Sequence, residues 1–113
     1  MPRMMSFALT TPQFRARTKT VTRRLRWKDL PPGTILMGVE QAMGLGKGGK
    51  VVRLGLIEVV NTRWEPLNTI TPEDVVLEGF PDWTPGQFIT MLCKANTCAP
   101  DTLIHRIQFR YLD

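Results

Sequence analysis

Several things are scarce in this 113-residue chain, and each scarcity excludes something. There are two cysteines, one histidine and one tyrosine. Two thiols cannot build a disulfide framework. Cys93 and Cys98 in a C-x4-C spacing, with His105 beyond them, offer three zinc ligands where a structural site takes four. No metal is expected, and the pair reads as thiols, or a disulfide, at a helix end. A lone His105 excludes a His-rich metal centre and a His-based acid–base pair. No apolar run approaches the ~20 residues that a membrane span needs, and the basic first segment lacks the apolar middle of a signal peptide. A soluble, cytoplasmic protein without a membrane partner is expected. At 42% hydrophobic and 22% charged, the composition is not that of a disordered, collagen-like or coiled-coil chain. The length suits one domain spanning 1–113, and without heptads or a long apolar edge the expectation is a monomer.

Acid is absent from the first 28 residues. They hold Arg3, Arg15, Arg17, Lys19, Arg23, Arg24, Arg26 and Lys28, whereas the remaining residues hold seven bases and ten acids, within a net charge of +5. A basic cluster set against an acidic stretch from Glu65 to Asp82 attracts phosphates, so RNA, a nucleotide or a nucleoside is the natural partner. A solvated basic arm or a protein-interaction module is the competing interpretation.

Local pattern places the elements. Residues 4–9 suit a short strand, and Thr10-Thr11-Pro12 suits a helix start with a turn through Arg17. Lys19 to Leu25 has a strand composition, and Pro31-Pro32-Gly33 is a strong turn. Two β-rich runs, 34–43 and 51–63, are joined by the glycine-rich segment 44–50 as a long hairpin. The second run is largely apolar on both faces, as in a barrel strand covered outside, with Glu58 at a strand crossover. Thr71 and Thr84 are helix caps, and Gln87 is placed for a capping box; Phe88, Met91 and Leu92 follow at core spacing. Residues 103–112 alternate as a half-buried closing strand with His105 at the core edge. The sum is an α+β fold, a small mixed β-barrel with short helices packed outside.

Gly44 to Lys50 satisfies G-x-x-x-x-G-K, but Val51 replaces the magnesium-binding hydroxyl and a strand follows where a phosphate cradle needs a helix. No nucleotide-hydrolysing loop, and no cofactor, is implied. The segment is a hairpin tip whose Lys47 and Lys50 can reach a nucleic-acid backbone.

The most informative segment is Arg17-Thr18-Lys19-Thr20-Val21-Thr22-Arg23-Arg24. In an extended chain Lys19, Val21 and Arg23 share one face and Thr20, Thr22 and Arg24 the other, so Lys19 and Thr22 meet only across a local twist. A desolvated Lys can take the proton of a hydroxyl and make it a nucleophile. The segment resembles the G-x-K-x-x-[E/T]-x-R signature of ASCH domains, with Arg17 standing where that signature has Gly. Pro32-Gly33-Thr34-Ile35-Leu36, Leu56 to Val59, Leu67 to Glu78 and Ile107 to Leu112 resemble further segments of the family.

The resemblance implies a PUA-like barrel. It also implies binding of RNA or a nucleotide in a basic cleft lined by Lys19, Thr22, Arg24 and Glu78, with phosphate contacts from Arg17, Lys19, Arg23, Arg24, Arg26, Lys47 and Lys50. One branch of the family hydrolyses N4-acetylcytidine, and others are reported to cleave RNA. The amidohydrolase branch implies Thr22 as nucleophile, Lys19 as its activator and Glu78 as proton donor or acceptor for the leaving amine. Arg24 matches the signature Arg that grips a carboxylate or phosphate.

Overall fold

The computed structural model describes residues 2–41 and 49–112. In chain order the elements are β1 (Arg3–Ser6), α1 (Thr11–Arg15), β2 (Val21–Arg24), β3 (Ile35–Val39), β4 (Arg53–Pro66), a 3-10 turn (Leu67–Thr69), α2 (Pro72–Leu77), α3 (Pro85–Asn96) and β5 (Leu103–Tyr111). The strands form one sheet in the order β1-β3-β4-β5-β2. β1 and β3 pair in parallel, whereas β2–β5, β3–β4 and β4–β5 pair antiparallel.

Strand order leaves β1 and β2 as the two edges, yet the sheet curls until they approach each other. The Arg24 guanidinium of β2 lies 4.9 Å from the ring centroid of Phe7, just beyond β1. The result is a half-barrel with a gap between its edges, an α+β fold with few short helices. Inside the curl, Met5, Phe7, Phe14, Leu36, Ile57, Val59, Ile107 and Phe109 make the first core. Phe14 enters from α1 and packs on Phe7 at 4.6 Å between centroids. On the convex side α2 and α3 build a second core from Leu67, Ile70, Val75, Phe88, Leu92 and Ile104.

The helix starts follow from their caps. Thr71 Oγ1 accepts from the Asp74 amide at 3.2 Å. Thr84 and Gln87 form a reciprocal capping box, with bonds of 2.8 and 3.2 Å. Each threonine precedes a proline, whose missing N–H costs nothing in a first turn.

Three expectations need correction. β2 starts at Val21, so Lys19 precedes the strand. β5 does alternate, with Ile107 and Phe109 inward, but its other face is not solvated throughout: Ile104 and Arg106 are buried because the helical layer covers that half. Conversely, the outer face of β4 is not covered as a barrel strand's would be. Val60 is 40% exposed, and Glu58 pairs there with Arg110. β3 and β4 do pair antiparallel, whereas most of the connecting tip, including Lys47, lies outside the described residues.

Gly38 is a fixed point of the first core. A Cβ there would lie 2.5 Å from Phe14 Cζ and 2.7 Å from Cε2. Gly38→Ala should therefore lower stability by about 1–3 kcal/mol through overpacking. Gly86→Ala in α3 meets nothing nearer than Thr84 Oγ1 at 3.9 Å and should leave the chemical-denaturation midpoint unchanged or raised. Equal midpoint losses for the two variants would contradict this packing.

Candidate ligand cleft

The gap between the edge strands opens into a cavity of about 530 Å³. One wall is the chain leaving β1, Ser6 to Thr10; the second is β2 with Lys19 before it and Leu25 to Trp27 after it; the third is α3 through Phe88, Met91, Leu92, Ala95 and Asn96. Glu78 closes the inner end. An edge strand explains how residues from both faces of β2 reach one cavity.

Lys19 is brought to Glu78 by backbone pairing. The Thr20 amide donates to Leu77 O at 2.8 Å, tying the entry of β2 to the last turn of α2. Glu78 caps that helix, and Gly79 follows with φ +103. Gly79 is required twice: its φ lies in the left-handed region, and a Cβ would sit 2.6 Å from Gln13 Cγ. Lys19 Nζ then donates to Glu78 Oε1 at 2.5 Å and to the Glu78 carbonyl at 3.1 Å. Tyr111 Oη donates to Lys19 O at 2.5 Å, holding the same segment from β5.

Arg23 extends the cluster. It donates to Glu78 Oε2 at 3.0 Å and to Asp74, and it lies 3.7 Å from Glu65. Arg106 grips Asp74 in a bidentate pair at 3.0 and 3.1 Å. Asp74 and Glu78, four residues apart, share one face of the α2 turn, so β2 and β5 are clamped to it by the same two acids. The Arg23 Nε is buried without a hydrogen-bond partner among the described residues.

On the opposite face of β2, Arg24 Nε donates to Thr22 Oγ1 at 2.9 Å. Burial pushes the Arg24 guanidinium down to about 10, with Glu78 pulling the other way. Burial likewise lowers Lys19 below its ordinary 10.5; Glu78 opposes that shift, and Arg24 and Arg23 add to it. Burial disfavours ionised Asp74, but the bonds from Arg106 and Arg23 outweigh it and hold the carboxyl below 3.8.

Of the residues expected at the site, Lys19, Thr22, Arg23, Arg24, Arg26 and Glu78 line the cavity. Arg23 also faces carboxylates inside the protein. Arg17 does not line this cavity. It lies over Tyr111 at 5.0 Å and borders a separate small pocket of about 120 Å³. Its φ of 60 is left-handed, a conformation that Arg adopts at a cost of about 1 kcal/mol. Lys50 is exposed and outside the cavity wall. Cys93 and Cys98 are free thiols whose sulfurs lie 2.8 Å apart across the end of α3. Asp74, Arg106, Phe7 and the α3 wall were not apparent as site residues from the sequence, although the Asp74–Glu78 spacing was a usable signal for the first of them.

Replacing Asp74 leaves Arg23 and Arg106 short of a counter-ion, so Asp74→Asn should cost about 3–5 kcal/mol. Because the folded carboxyl titrates below its unfolded value of 3.8, its contribution is fully present above that pH and is lost as pH falls through the lower folded value. Denaturation curves against pH should show a steeper acid limb in the native protein than in Asp74→Asn. Parallel limbs would count against the clamp.

Neither a family model nor a curated protein sequence matches the chain. Solved structures do. A protein of Enterococcus faecalis V583, assigned to the family DUF984, superposes with a TM-score of 0.70 at 16% identity, over 100% of this chain and 81% of that one. An ASCH domain from Lactobacillus crispatus JV V101 superposes with a TM-score of 0.61 at 15% identity, over 96% of this chain and 78% of that one. With that likeness over nearly its whole length, and with its half-barrel, two open edges and outer helical layer, the chain has the fold of an ASCH domain.

Proposed function

We propose that the cleft binds a nucleotide, free or within RNA. The observation that carries this reading is the charge left over in the cleft. Glu65, Asp74 and Glu78 are taken up by Lys19, Arg23, Arg63 and Arg106, whereas Arg24 makes no ion pair with a carboxylate among the described residues. A half-buried guanidinium with its Nε on Thr22 and its plane near Phe7 is built for an anionic or planar ligand. Arg26 adds an exposed cation at the rim. Phe7, Met91 and Leu92 supply the apolar wall that a base requires, and a pocket of this size matches the usual range for small-molecule sites.

Calorimetric titration with cytidine 5′-monophosphate tests the reading. Arg24→Ala should weaken binding about tenfold or more, the loss of a charge-assisted contact, and affinity should fall as salt rises. Unchanged affinity in Arg24→Ala would contradict it.

A second reading is favoured by the Lys19–Glu78 pair: hydrolysis of the amide of an N4-acylated cytidine. Lys19 in its neutral form takes the Thr22 proton as Thr22 Oγ1 attacks the acyl carbon. The C–N4 bond breaks, and the proton passes through the Lys19–Glu78 pair to the departing amine. Water then cleaves the acyl-threonine, releasing the carboxylic acid and restoring the hydroxyl. Burial of Lys19 favours its neutral form. Chromatography of N4-acetylcytidine incubated with the protein should show cytidine, with the rate rising toward high pH along a limb below 10.5. The isosteric Thr22→Val and Glu78→Gln should abolish turnover. Turnover that survives in Thr22→Val would exclude this mechanism.

A further inference from the structure

Two tryptophans meet His105 at this end of the sheet, Trp27 through its backbone carbonyl and Trp64 through its ring. Trp27 lines the cavity rim and holds φ 84, a conformation that bulky residues rarely adopt. Its carbonyl lies 2.6 Å from His105 Nδ1, which fixes the imidazole. On that imidazole lies Trp64 of β4, with centroids 4.4 Å apart and planes within 4°. Trp64 is nevertheless 42% exposed. Since His105 covers one face of the indole, the exposure belongs to its other face and edge. Arg3 sits over the Trp27 ring at 4.5 Å, and Arg26 and Lys28 flank Trp27 as exposed cations; Asp29 is the acid on that loop.

We propose that Trp64, held flat by His105, is a base-stacking platform that extends the cleft, so that the ligand is a single-stranded oligonucleotide rather than a free nucleotide. The inference rests on the nucleotide-binding reading of the cleft. A single strand offers successive unpaired bases and a continuous run of phosphates. Exposed aromatic faces beside cations are the surface that binds such a strand, and stacking tolerates any base because each has a π-face. One base in the cleft near Arg24 leaves the neighbouring phosphates to Arg26, Lys28 and Arg3, and a later base to Trp64. The rigidity of the platform matters: a ring already pinned on its inner face loses little freedom when a base covers the outer one.

The test compares labelled decauridylate, followed by fluorescence anisotropy, with uridine 5′-monophosphate, followed by calorimetry. The native protein should bind the oligonucleotide more tightly. Trp64→Leu keeps an apolar contact with His105 but removes the stacking face. It should weaken oligonucleotide binding about tenfold, the loss of roughly one stacked base, and leave the mononucleotide affinity unchanged. Trp64→Phe retains an aromatic face and should recover most of the lost affinity, with circular dichroism confirming the fold of both variants. Native oligonucleotide binding no tighter than mononucleotide binding would overturn the platform while leaving the cleft reading intact. The platform is equally overturned if Trp64→Leu binds the oligonucleotide as well as the native protein, or loses both ligands equally. Failure of the native protein to bind either ligand would remove the cleft reading and the platform together.

Discussion

Glu78 is the residue around which the cleft is organised. It is 1% exposed, and its carboxylate receives Lys19 on one oxygen and Arg23 on the other. A buried carboxylate is tolerated because those two cations satisfy it, and each of them is tolerated in turn because of the acids on α2. The arrangement is reciprocal, so removal of any member strands the others. Asp74 carries the same logic to Arg106 and thereby to β5. Two acids one helical turn apart thus fix the helical layer against β2 and β5. Such a clamp contributes more to geometry than to net stability, because desolvation offsets much of the Coulombic attraction.

The clamp matters because the half-barrel is not closed. An open edge strand exposes unpaired backbone groups and is ordinarily a liability. Here β2 is held in place by side-chain ions instead of a further strand, while β1 approaches from the other side through Phe7 and Arg24. The gap that remains is the cavity. Under the proposed function the same feature that leaves the sheet unfinished supplies the binding site, and Arg24, a cation outside the clamp, is turned to a ligand.

The elements with local causes were legible in the sequence. Thr71 and Thr84 announced their helices because a cap, a following proline and the capping-box glutamine are all short-range signals. The period of β2 set Lys19 with Arg23 and Thr22 with Arg24; the first two share Glu78, and Arg24 donates to Thr22. Burial was not legible. Nothing within β2 tells that Arg23 is enclosed by acids drawn from Glu65 to Glu78, since that depends on long-range pairing of β2 with β5 and on α2 docking over both. The charge distribution pointed to a basic cluster that attracts phosphates, whereas part of that charge is neutralised inside the fold. Arg17 illustrates the opposite limit. It was expected among the phosphate contacts, but its left-handed backbone and its place over Tyr111 keep it out of the cavity wall. The stack of Trp64 on His105 was likewise hidden, because the β4–β5 register that pairs them follows a shift between Val59 and Asn61.

Whether the cleft between the edge strands takes a nucleotide is tested most directly by titrating isotopically labelled protein with cytidine 5′-monophosphate and following amide chemical shifts. Saturable shifts are expected at Ser6 to Thr10, Thr22 to Trp27 and Phe88 to Asn96, the three walls of the cavity. An absence of shifts, or saturable shifts confined to the convex face around Glu58 and Arg110, would contradict nucleotide binding in the cleft.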